Sequence, residues 1–175
     1  KFFLSLGDVG LYGAGYKIGS TISILVIAFN LSWQPYYLKN YGKDNFKNNI
    51  KKISRVFTVL LLMVCTFLSI GWSFLLKLNI FGFYLIGKGF WLGGIVVPWV
   101  AFGYFFYGLF VLLAPSVYVC NKQAWSPLFW GVGALANIIL NCIFIPLWGI
   151  VGAGIATFIS YLIMFLFLLY KNKNW

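Results

Sequence analysis

The chain is 175 residues long, 62% hydrophobic and 22% aromatic, with only 9% charged residues and a formal net charge of +11. Soluble globular domains carry roughly 25% charged residues, so this composition excludes a water-covered surface, a disordered segment, a disulfide-stapled secreted domain and an ordinary soluble enzyme. The mean hydropathy of +0.93 points to an integral membrane protein.

Uninterrupted charge-free windows cover residues 18–38, 56–76, 89–121 and 123–170. A bilayer core of about 30 Å takes about 20 helical residues. The first two windows fit one helix each. The third is too short for two helices and a loop. The fourth breaks at Pro146-Leu-Trp-Gly149 into two. The expected fold is all-α, a polytopic transmembrane bundle of about five spans at residues 10–37, 54–77, 91–118, 125–145 and 149–170. Runs such as Val59-Leu60-Leu61-Leu62-Met63-Val64 are apolar on every face, whereas barrel strands alternate. Helices also satisfy their own backbone within lipid. Because the sequence opens on Lys1, without an initiator Met or a signal-peptide pattern, it is expected to be a piece of a longer protein.

Span one holds Lys17 about a turn and a half inside, flanked by Tyr12, Gly13 and Tyr16. At about 100° per residue, Gly10, Gly13, Ser20, Thr21 and Ala28 cluster on its side of the helix. A cation at this depth either faces a wet cavity lined by that stripe or snorkels to the outer interface. Near the inner end, Asn30, Ser32 and Gln34 precede Pro35. The 39–55 segment follows, with Phe46, Ile50, Ile53 and Phe57 at helical spacing and Lys43, Lys47 and Lys51 in a separate row. This pattern predicts an amphipathic helix on the inner membrane surface, turning into span two. Its lysines contact lipid headgroups or set orientation.

Pro98, inside span three, predicts a kink. In span four, Asn137 and Asn141 share a face and either join helices or line a lumen. In span five, Gly152, Ala156 and Ser160 form a close-packing face. Trp33, Trp91, Trp125 and Trp148 fall near span ends and read as interfacial belts.

The charges set orientation. Lys39, Lys43, Lys47, Lys51, Lys52 and Arg55 follow span one, Lys122 follows span three, and Lys171 and Lys173 close the chain. Lys77, Lys88 and Lys1 fall on the other side. The positive-inside rule puts the basic segment and the C-terminus in the cytoplasm. Cations in short loops between apolar runs are read as membrane signals, and no nucleic-acid partner is expected.

Chemistry is sparse. With no His and only Asp8 and Asp44 as acids, no carboxylate pair serves acid–base catalysis. No zinc-protease, phosphate-loop or nucleophile-elbow motif occurs. Cys65, Cys120 and Cys142 are far apart and suit apolar packing better than a metal site. The chain is therefore expected to be no enzyme, with no catalytic residue, cofactor or metal.

Two stretches carry a family likeness. Val9-Gly-Leu-Tyr-Gly-Ala-Gly-Tyr-Lys17, running on to Trp33-Gln-Pro35, resembles the first helix of the C-terminal half of polysaccharide flippases. Asn137-Ile-Ile-Leu-Asn141, then Ile145-Pro146, Gly149, Gly152-Ala153, Ala156-Thr157 and Ser160-Tyr161, resembles their last helical pair. These flippases belong to the multidrug/oligosaccharidyl-lipid/polysaccharide exporter superfamily. The resemblance implies a pseudo-two-fold, twelve- or fourteen-helix carrier that moves undecaprenyl-diphosphate-linked oligosaccharide across the bacterial cytoplasmic membrane by alternating access. The partners it implies are that lipid-linked substrate, membrane lipids and a missing N-terminal bundle of the same protein. Lys17 is then a diphosphate-binding candidate, with Tyr16, Gln34, Asn137 and Asn141 as candidates for contacting sugar. A drug/cation antiporter of the same superfamily and a structural membrane subunit without transport are the alternatives.

Overall fold

The computed structural model describes residues 5–77, 79–80, 83–84 and 87–175, and these are almost entirely helical. Lys1, expected on the outer side, lies outside the described residues. Helix α1 (Leu6–Gly19) starts on a reciprocal cap. The Asp8 amide donates to the Ser5 hydroxyl (3.2 Å), and the Ser5 amide donates to the Asp8 carboxylate (3.1 Å).

Span one is broken. Helix α2 (Ile22–Asn40) leaves α1 at 43°. No proline stands at the bend. Instead, the Ser20 hydroxyl donates to the Lys17 carbonyl (3.2 Å) and Thr21 to the Ile18 carbonyl (2.7 Å), diverting the backbone ladder. The expected stripe from Gly10 to Ala28 is therefore divided between two helices, and its two hydroxyls are spent on backbone. The inner face of α1 rests on the 3₁₀ segment Lys88–Val96, where Gly15 and Gly93 meet so closely that any Cβ would strike the facing backbone.

Helix α3 (Phe46–Leu76) corrects a second expectation. The basic amphipathic stretch continues into the apolar span without a break, because no Gly or Pro interrupts residues 46–70. Its outward row of Met63, Phe67, Ile70 and Phe74 is exposed, Ile70 by 77%, a surface that suits lipid rather than water. A two-stranded antiparallel ribbon, β1 (Asn79–Ile80) with β2 (Phe83–Tyr84), leads to the 3₁₀ segment.

Helix α4 (Val97–Val119) begins at Pro98 instead of kinking there. In the first turn the missing proline N–H leaves no bond unmade. Its end is an αL cap on Asn121 (φ 54°), with the Lys122 amide donating to the Val117 carbonyl (2.8 Å).

Helix α5 (Ser126–Lys173) is two helices merged across Gly149, whose φ of 56° and ψ of −133° are foreign to a helix. The arms return antiparallel: Phe129 meets Phe167 at a ring separation of 5.2 Å, and Trp125 meets Trp175 at 6.3 Å. The small-residue face holds, with Gly152, Ala156 and Ser160 all buried.

The core gathers around α4. Val97, Ala101, Phe110 and Val111 of α4 share one buried cluster with Ile22 and Val26 of α2, Leu61 and Cys65 of α3, and Phe129, Met164 and Leu168 of α5. Trp33 belongs to this core, not to an interfacial belt: it is 2% exposed and its indole N–H donates to the Leu112 carbonyl (3.2 Å). Between helices in lipid, dispersion contacts and such hydrogen bonds carry the association, since apolar surface gains nothing by leaving hydrocarbon.

Among the described residues, three helices are long and apolar enough to cross a membrane, four when the bent α1–α2 pair counts as one span. One end of the bundle joins the end of α2, the start of α3 and the ends of α4 and α5, through Tyr37, Ile50, Ser116 and Asn172. Lys171 caps the Trp125 ring there at 4.3 Å. At the other end, Lys77 faces Trp91 (5.7 Å) and Lys88 faces Tyr84 (5.1 Å).

The Gly149 backbone generates a test. An Ala there adopts a conformation reserved for glycine, at a cost of about 1–3 kcal/mol. Gly149→Ala is expected to lower the thermal midpoint of the detergent-solubilised protein, whereas Gly131→Ala, in an open helical position, is expected to leave it unchanged or raise it.

Candidate functional site

A cleft of about 610 Å³ lies between α1 and the two arms of α5. From α1 it receives Tyr12, Gly13, Tyr16 and Lys17, which fall on one face because their spacings are three and four residues. The outgoing arm of α5 adds Trp130, Ala134 and Asn137, and the return arm adds Thr157, Ser160 and Tyr161. Asn137 stands midway between Ser126 and the Gly149 kink, and Ser160 near the middle of the return arm. At about 1.5 Å per residue the cleft is roughly 17 Å from either end of the arms, close to half of a bilayer core of about 30 Å.

The polar groups form one connected wall. Asn141 donates through its side-chain amide to the Asn137 carbonyl oxygen (2.9 Å). Asn137 donates to the Ser160 hydroxyl (3.2 Å), which donates to the Thr157 backbone carbonyl (2.8 Å). The Thr157 hydroxyl donates to the Ala153 carbonyl (3.0 Å), so the Tyr12 hydroxyl, 3.4 Å away, is the donor to Thr157. These bonds tie α1 to α5 and the two arms to each other. After them, Asn137 retains one amide hydrogen for the cleft.

Aromatic rings supply the rest. The Tyr16 and Tyr104 hydroxyls are 3.0 Å apart. Tyr104 lies against Tyr161 (5.4 Å between ring centroids), Tyr161 against Tyr107 (5.6 Å) and Tyr107 against Trp130 (5.9 Å). The result is a continuous belt of ring faces and hydroxyls from α1 through α4 to α5.

Lys17 is the charge. It is exposed to the cleft, and its ammonium makes no hydrogen bond or ion pair among the described residues. Of the two acids, Asp8 is committed to the α1 cap and Asp44 lies in the loop after α2. The cleft therefore combines an uncompensated cation, with three N–H donors, with aromatic faces and neutral hydrogen-bonding groups. Such a wall attracts an anion and repels a cation. No acid–base pair lines it, and among the described residues no group of His, Cys, Asp or Glu is arranged to hold a metal ion.

Tyr16, Lys17 and Asn137 come together here, and Asn141 supports Asn137 from behind. Gln34 does not join them. It sits half-buried on α2, about 25 Å further along at about 1.5 Å per residue, beyond the bend that turns α2 away from α1. Sequence reasoning missed Trp130 in the cleft lining, and Tyr104 and Tyr107, which stand behind that lining on α4. Tyr104 and Tyr107 share one face of α4 by their spacing, but which neighbour that face meets is decided by tertiary packing.

Comparison with protein-family models, with curated proteins and with solved structures gave no match.

A wet cleft differs from a lipid-facing surface in what reaches it. Lys17→Cys, in a background with Cys120 and Cys142 replaced by Ser, is expected to react with a charged, membrane-impermeant thiol reagent in liposomes. Ile24→Cys, on the outward face of α2 and 69% exposed, is expected to stay unmodified. Equal reaction at both positions would contradict the cleft.

Proposed function

We propose that this chain is one wall of an alternating-access carrier that moves diphosphate-linked oligosaccharide lipids across the bacterial cytoplasmic membrane. The observation that carries the reading is the pairing of an uncompensated Lys17 with a belt of tyrosines, Trp130 and an amide–hydroxyl chain in a mid-height cleft. A diphosphate presents the charge that an ammonium binds as a point charge. Sugars present C–H faces that lie on aromatic rings, and hydroxyls that exchange hydrogen bonds with amides and phenols. Carrier sites of this kind sit near the bilayer midplane, where two bundles rock about shared ground.

In this reading the chain crosses five times, through the bent α1–α2 pair, α3, the segment from Lys88 to Val119, and each arm of α5. Nine cations then gather at the cytoplasmic face with the C-terminus, as the positive-inside rule requires. The likeness of the Val9–Lys17 and Asn137–Tyr161 stretches to polysaccharide flippases supports the same assignment and supplies the expectation of a second, pseudo-symmetric bundle. A drug/cation antiporter is a poorer fit, because the cleft carries a cation and no carboxylate. A purely structural subunit gives no reason to keep an unpaired ammonium at mid-height, where it is costly.

Binding of a polyprenyl-diphosphate oligosaccharide to the reconstituted protein tests this. Lys17→Ala is expected to weaken it about tenfold or more, the scale of one hydrogen bond to a charged group. Lys17→Arg is expected to retain most of it, and a diphosphate-free polyprenyl glycoside to bind wild type and Lys17→Ala alike. If a lipophilic cation binds wild type more tightly than the diphosphate lipid does, the antiporter reading replaces this one.

A further inference from the structure

A second recess lies at the end of the bundle where the cations collect. It measures about 810 Å³ and is formed by the end of α2, the connecting loop and the first turns of α3. Lys43, Lys47 and Lys51 line it together with Tyr37, Tyr41 and Asn48, and no carboxylate is among its lining residues. Lys43 is steadied by a hydrogen bond from its ammonium to the Asn40 side-chain oxygen (3.2 Å).

The floor is built from rings. Phe46 meets Tyr37 edge-on at 5.1 Å and Tyr41 at 5.4 Å. The loop reverses through Asn45 in the left-handed region (φ 63°), which sets the first turn of α3 against the recess. In that turn the Phe46 and Asn49 amides donate to the Lys43 and Asn45 carbonyls (3.1 and 3.0 Å), and the positive end of a long helix adds to the lysine field.

The recess adjoins an apolar pocket, and Tyr37 and Ile50 line both. That pocket measures about 260 Å³ and runs on between Leu109, Leu113, Phe165 and Leu169. A cationic rim beside an apolar slot has the polarity of a lipid molecule, with phosphate at the rim and acyl chain in the slot. A free phosphate uses only the rim.

We propose that this recess is a binding site for the phosphate headgroup of an anionic glycerophospholipid, with an acyl chain entering the adjoining apolar pocket. The lipid then ties α2, α3, α4 and the return arm of α5 at one membrane face. This site depends on the helices lying in a membrane and not on what the mid-height cleft carries.

Native mass spectrometry of the whole chain in detergent, with phosphatidylglycerol and phosphatidylcholine in competition, tests the site. Wild type is expected to prefer phosphatidylglycerol by about tenfold or more, the scale of several lysines at an anionic headgroup. Lys43→Gln/Lys47→Gln/Lys51→Gln is expected to lose that preference, and the corresponding triple Arg variant to keep it, which separates lost charge from lost folding. Lys39→Gln/Lys52→Gln/Arg55→Gln removes the same charge from residues that do not line the recess and is expected to keep it as well. No preference in wild type, or equal loss in both Gln variants, overturns the proposal. Displacement of the lipid by glycerol phosphate, at an ionic strength where chloride has no effect, overturns the lipid assignment in favour of a soluble phosphate.

Discussion

A helix that must return through apolar surroundings cannot leave the polar groups at its turn without partners, and in this chain the return is made at a single residue. Gly149 takes a backbone conformation that L side chains avoid, and the 3.6-residue ladder resumes almost at once on either side. The fold-back brings Asn137 opposite Ser160 and Phe129 opposite Phe167. Once those are in place, the outgoing arm, the return arm and α1 enclose a space that no single helix could define. The amide–hydroxyl chain from Asn141 to Thr157 then fixes the spacing of the arms, and the Tyr12 hydroxyl fixes α1 against them. The cleft is thus a consequence of the turn.

The second constraint is the scarcity of acid. With two carboxylates in the chain and one of them held in a helix cap, no counter-charge exists inside the bundle for Lys17. A cation in such a setting must be solvated or paired from outside. The same scarcity shapes the basic end, where three lysines line one recess and the neighbouring Asp44 is not among its lining residues. Two cationic sites at different depths follow from one compositional fact. They differ in their walls: tyrosines and amides in the cleft between α1 and α5, and rings beside an aliphatic slot at the end.

The helical class, the turn near Gly149 and the Asn137–Asn141 pair were legible in the sequence, because apolar length, a Pro–Gly break and four-residue spacing are local signals. The bend at Ser20–Thr21 was not. It arises from two hydroxyls back-bonding to carbonyls, a choice the same residues do not make on every helix. The place of Pro98 in the first turn of α4 depends on the preceding 3₁₀ segment, which has no strong sequence mark. Trp33 looked interfacial by its place near a span end, yet a polar neighbour elsewhere in the fold, the Leu112 carbonyl, draws it inward. Gln34 is an amide near the inner end of the first span, about 25 Å from Lys17 at about 1.5 Å per residue, so chain distance keeps it from this cleft whether the helix is straight or bent. The tyrosine belt is assembled from residues far apart in the chain, so only Tyr12 and Tyr16, on one helical face, hinted at it.

The central claim is that Lys17 meets a diphosphate at mid-height, and magnetic resonance distance measurement reads that contact directly. The lysine ammonium nitrogens are labelled with nitrogen-15 in reconstituted protein, and their coupling to the diphosphate phosphorus of a bound polyprenyl-diphosphate saccharide is measured. Hydrogen-bond contact between one lysine nitrogen and the diphosphate resonance is predicted, and Lys17→Arg removes that signal while the lipid remains bound. A diphosphate signal that couples to no lysine, or that persists unchanged in Lys17→Arg, would contradict the account and move the charge-binding site elsewhere.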